Sequence, residues 1–102
     1  MVTALVQFKL PPSVSRREAI DLFKASAPRY LNMPGLVRKY YLYGEDGGGG
    51  VYLWKTREMA ERVYTAEWRR MIKDRYGAEP VITYFETPVI VDNAHGEITS
   101  DA

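Results

Sequence analysis

The run LVRKYYLYGEDGGGGVYLW, residues 36–54, decides the fold. Its first part is dense in β-formers: Val37, Tyr40, Tyr41 and Tyr43 have side chains that suit a pleated, half-buried surface. Its end, Val51 to Trp54, is a second, shorter run of the same kind. Between them Glu45, Asp46 and residues 47–50, all glycine, read as a loop. Two β-rich runs joined by a Gly-rich connection make an antiparallel hairpin.

Before the hairpin lie one strand and one helix. Val2, Ala4, Val6, Phe8 and Leu10 alternate with Thr3, Leu5, Gln7 and Lys9, and a period of two with one apolar face is the mark of a strand. Pro11 and Pro12 end it, because neither can donate to a ladder. Ser15 with Glu18 forms a capping box, in which each side chain satisfies an orphan amide of a first helical turn. Ile20, Phe23, Ala27 and then Tyr30 or Leu31 recur at helical spacing, and Pro28 is expected to kink or stop the helix near Ala27. Asn32, Met33, Pro34 and Gly35 are turn chemistry.

After the hairpin the order repeats. Thr56 caps an apolar stripe of Ala60, Val63, Tyr64, Trp68, Met71 and Ile72, which runs to about Tyr76 and Gly77; Thr65 offers a second cap at which it can divide. Residues 81–91 are the last strand, with Pro88 marking a second half that lies at an edge or leaves the sheet. The expected organisation is one domain over residues 1–93 and a flexible polar tail over residues 94–102.

The order β-α-β-β-α-β, read as two interleaved halves with right-handed crossovers, makes an α+β fold. It is the ferredoxin-like arrangement: a four-stranded antiparallel sheet with its helices on one face. Such a sheet has an uncovered face, yet neither phase of the second or last strand is polar. The apolar patch would exceed what a monomer usually exposes, so a homodimer closed through the sheet faces is expected.

Composition bounds the function. The chain has 102 residues and a net charge of +1, too balanced to argue for nucleic acid or an anionic membrane. It has no cysteine, which removes thiolate metal sites and thiol catalysis and fits the cytoplasm. The single histidine, His95, cannot build a metal site, and no Ser/His/Asp triad is present. The glycine run lacks the Lys-Ser/Thr of a phosphate loop. The feature left over is aromatic content of 13%, with eight tyrosines. Core and dimer interface account for much of it; a flat-walled apolar pocket between helices and sheet, suited to an aromatic ligand, is the functional alternative. Asn32, Arg38 and Lys39 stand where they can supply polar groups to a pocket mouth, against the simpler reading of turn and strand-edge polarity.

Pro34 to Tyr41, then Gly49-Gly50-Val51-Tyr52-Leu53-Trp54, then Glu79-Pro80-Val81 and Phe85-Glu86-Thr87-Pro88 resemble the small monooxygenases of the dimeric α+β-barrel superfamily. The resemblance implies a ferredoxin-like protomer paired through its sheets. It also implies a cofactor-independent oxygenase of a small aromatic or polycyclic, readily deprotonated substrate, with no metal or other cofactor. The haem-degrading members of that superfamily use a helix histidine, and neither helix here has one. Trp54, Tyr64 and Trp68 are expected as pocket walls, Asn32 to orient an oxygen atom and Arg38 to stabilise an anion. No base is evident, and a non-catalytic homodimeric domain that binds a small ligand is the alternative.

Overall fold

The computed structural model describes residues 1–101. Strand β1 (Val2–Phe8) leads through helix α1 (Arg16–Tyr30) to β2 (Leu36–Gly44) and β3 (Gly47–Trp54). Helices α2 (Arg57–Val63) and α3 (Ala66–Tyr76) then lead to β4 (Val81–Glu86), and a hairpin of β5 (Val89–Asp92) and β6 (Glu97–Ser100) closes the chain. The main sheet has the order β2-β3-β1-β4, with every neighbouring pair antiparallel. Each helical crossover therefore skips one strand, as the ferredoxin-like arrangement requires. Among the described residues no helix is long and apolar enough to cross a membrane.

Alternation along β1 separates the two faces. Ala4, Val6 and Phe8 are buried under the helices, while Gln7 points the other way and is exposed. Tyr52 and Trp54 of β3, Phe23 and Tyr30 of α1, and Trp68, Ile72 and Tyr76 of α3 complete the buried layer. The helix-free face carries Tyr40, Val81 and Phe85 at 54%, 63% and 53% exposure, so it is apolar and open in the single chain.

Three local features depart from the sequence reading, and one agrees with it. The glycines at 47–50 are not a loop but the first half of β3, paired with β1 on one side and β2 on the other. Packing demands this: a Cβ on Gly50 would stand 2.9 Å from the Tyr52 ring and 3.3 Å from Lys39 Cε. The first helix runs through Pro28 to Tyr30. A proline so close to the C-terminus forfeits little of the ladder, and the extra residues carry Tyr30 into the core. The second helix does divide at Thr65, whose hydroxyl accepts from the Trp68 amide. Past Pro88, residues 97–100, expected within a polar tail, pair with β5. Asp92 shapes the intervening turn by accepting from the Ala94 and His95 amides.

Candidate functional site

A bulge in β2 sets the site. Leu36 pairs with Trp54 and Arg38 pairs with Leu53, so Val37 is the extra residue. From there the strand alternates: Lys39 lies opposite Tyr52 and Tyr41 opposite Gly50, on the helix face, while Arg38 and Tyr40 take the other. A lysine is thereby directed into the layer between sheet and helices.

Its amine sits in a box of three tyrosines. Lys39 Nζ is 3.5 Å from the Tyr30 ring centroid, 3.9 Å from that of Tyr41 and 4.5 Å from that of Tyr52. Burial, with the positive charges of Arg75 and Arg29 nearby, lowers its pKa to about 7. The tyrosines move the other way. Burial raises the pKa of Tyr41, Tyr52, Tyr64 and Tyr76 above the ordinary phenol value, so these hydroxyls stay protonated at neutral pH. Lys39 is the side chain of this cluster that can exchange a proton there.

Beside the amine is a cavity of about 20 Å³, lined by Val6, Ser26, Tyr30, Lys39, Tyr52 and Arg75 among others. Beyond it an open groove of about 370 Å³ is lined by Tyr30, Asn32, Leu36, Lys39 and Tyr41 among others. Tyr30, Lys39 and Tyr41 line both spaces and form the wall between them. The inner cavity holds about one water; a larger ligand needs the flexible Lys39 stem to swing aside and join the two.

The structure brings Trp54, Tyr64 and Trp68 together, but as a packed cluster. Trp54 Nε1 donates to the Tyr64 hydroxyl and Trp68 Nε1 to the Tyr30 hydroxyl, both at 3.0 Å. Tyr64 meets Trp54 edge-on and lies tilted against Trp68. None of the three lines the inner cavity, although Trp68 braces Tyr30, which does. Asn32 stands in the outer groove at φ 62°, a left-handed turn conformation that suits asparagine. Arg38 also lines the outer groove, while its guanidinium donates to the Tyr40 hydroxyl and pairs with Asp92 at 3.7 Å on the helix-free side.

The sequence reading placed Lys39 at a pocket mouth with strand-edge polarity as the simpler account, and it left Ser26, Tyr30, Tyr52 and Arg75 out of the site. The available signal was the two-residue spacing of Lys39 and Tyr41, which puts them on one face of β2. Which face that is depends on the bulge at Val37.

No protein-family model matches the chain, and neither does any curated protein. Solved structures do. SnoaB, a cofactor-independent oxygenase from Streptomyces nogalater, is similar over 84% of this chain and 91% of its own, with a TM-score of 0.60 and 16% identity. An arginine-to-serine mutant of MhuD with two manganese protoporphyrin IX bound per active site is similar over 91% and 100%, with a TM-score of 0.66 and 21% identity. An ethyl tert-butyl ether D family protein from Bacillus halodurans is similar over 85% and 99%, with a TM-score of 0.58 and 16% identity. At such identities the likeness is one of fold, and the chain has the ferredoxin-like fold.

Proposed function

We propose that the protein is a cofactor-independent monooxygenase of a small aromatic or polycyclic, readily deprotonated substrate, with Lys39 as the general base. The observation that carries this reading is an amine held at a pKa of about 7 inside an aromatic box beside a cavity. A base poised near the working pH is what proton abstraction from a phenol or an activated methylene requires. The shared fold with a cofactor-independent oxygenase supports it at the level of architecture.

In this reading the neutral Lys39 amine takes a proton from the substrate, and the aromatic walls keep the resulting carbanion from water. Molecular oxygen adds at that carbon. For a ring methylene, two C–H bonds and the O–O bond are lost. One oxygen atom becomes the new carbonyl and the other leaves as water. The substrate supplies all four electrons, so no outside reductant enters. Asn32, at the groove mouth, is proposed to orient a substrate oxygen, while Trp54, Tyr64 and Trp68 act from behind by holding Tyr30 and Tyr52 in place. Arg38 lines the groove beside Asn32 but pairs with Asp92 on the helix-free face, and we propose that this face is the homodimer interface, with Tyr40, Val81 and Phe85 shielded by a second copy. A cysteine-free chain supports a cytoplasmic setting.

Oxygen uptake with anthrone- or quinol-type compounds in metal-free, flavin-free buffer tests the reading. Turnover should appear, rise as pH passes about 7, and fall by about 10²-fold or more in Lys39→Met. No uptake across a diverse panel overturns it.

The small inner cavity and the mutually satisfied Trp54–Tyr64 and Trp68–Tyr30 pairs favour a second reading, a homodimeric ligand-binding domain without turnover. Thermal stabilisation by those compounds with no oxygen uptake distinguishes it.

A further inference from the structure

Two cationic side chains line the inner cavity and a third lies beside it, and none has a carboxylate to pair with. Lys39 and Arg75 line it. Arg29, in the last turn of α1, donates from Nη1 to the sulfur of Met71, another lining residue. Among the described residues no ion pair involves any of the three, as is true of most cations on this chain; what sets them apart is that they lie together at one cavity. Arg29 and Arg75 both sit in the last turn of a helix, where positive charge complements the helix dipole. That accounts for a cation at each helix end, but not for two such ends flanking a half-buried lysine. Like charges around a half-buried amine are relieved either by loss of its proton or by something negative that joins them.

We infer that the ligand of this site is an organic anion, with a flat aromatic body that enters past Asn32 and a carboxylate that lies between Arg29 and Arg75. The inference rests on the site proposed above and names its ligand class. Tyr30, Tyr41 and Tyr52 supply the faces for the ring. The two guanidinium groups supply fork-shaped donors for the carboxylate, and Lys39 is left free at the reacting end.

Matched naphthalene probes test this, with binding followed by titration calorimetry. Sodium 2-naphthoate should bind wild-type protein at least tenfold more tightly than 2-naphthylmethanol, and added salt should shrink the gap. In the Arg29→Gln/Arg75→Gln double variant, whose altered groups are both solvent-exposed, the preference should fall below about threefold while the melting temperature stays within a few degrees. Equal affinity for the two probes, an unchanged preference in the double variant, or no binding by either overturns the inference. Oxygen uptake with a neutral anthrone but no preference for the naphthoate would sink the anion site and leave the oxygenase reading intact. Selective naphthoate binding without uptake of oxygen by any compound would do the reverse.

Discussion

Lys39 Nζ lies 3.5 Å above the ring of Tyr30. Such a contact attracts an ammonium with about 0.5–2 kcal/mol. Each pKa unit of depression corresponds to about 1.4 kcal/mol, so burial, together with Arg75 and Arg29, outweighs the ring and brings the amine to about 7. The same box that fits a cation thus holds a lysine that is largely neutral just above neutrality.

This has a consequence for stability. The folded-state pKa of Lys39 is lowered from 10.5 to about 7, so between those values the unfolded chain binds the extra proton. Folding then becomes more favourable as pH rises, and the penalty is present in full below pH 7. From pH 7 to 9 the stability should climb by roughly 1 kcal/mol per pH unit, reduced from the limiting ~1.4 because the amine is partly solvated. Urea unfolding across that range should show the slope in wild-type protein and lose most of it in Lys39→Met.

Gly50 gives the lysine its room. An added Cβ would stand 2.9 Å from Tyr52 Cε1, 3.1 Å from the Tyr40 carbonyl oxygen and 3.3 Å from Lys39 Cε. Gly50→Ala should cost about 1–3 kcal/mol through overpacking. It should also push the Lys39 side chain outward and return its titration, followed by NMR, toward the ordinary lysine range.

Trp54 is fully buried and donates to Tyr64. Trp54→Ala should lose about 3–5 kcal/mol in denaturant unfolding. Trp54→Phe keeps most of the apolar body but leaves the Tyr64 hydroxyl without its donor, and should lose about 1–3 kcal/mol.

The outer sheet face predicts self-association. Phe85 is 53% exposed and lies opposite Thr3 on β1. Sedimentation at micromolar concentration should show a dimer for wild-type protein and a monomer for Phe85→Lys, with far-UV circular dichroism unchanged. A wild-type monomer would count against the sheet-to-sheet pairing.

The order of elements was legible along the chain because each local signal agreed with its neighbours. The alternation of Val2, Ala4, Val6 and Phe8 became β1, the Ser15–Glu18 box caps α1, and Thr65 starts α3. The glycines at 47–50 were misread because glycine signals conformational freedom in general. Only the crowding of Phe8, Tyr52 and Lys39 around them reveals close packing instead. Tyr30 or Leu31 could continue the α1 stripe, but the stop expected near Pro28 fell before both, since the cost of a proline depends on how near the helix end lies.

The sequence alone determined the ferredoxin-like topology and the apolar character of both sheet faces. Periodicity, caps and turn residues are local, and a handful of connection rules then leave few ways to assemble them. Tertiary structure decided which face each residue of β2 serves. One bulge at Val37 turns Arg38 to the helix-free side and Lys39 into the tyrosine box. That choice, and the company of Arg29 and Arg75, depends on strand register and on two helix ends meeting in space, and no spacing along the chain encodes either.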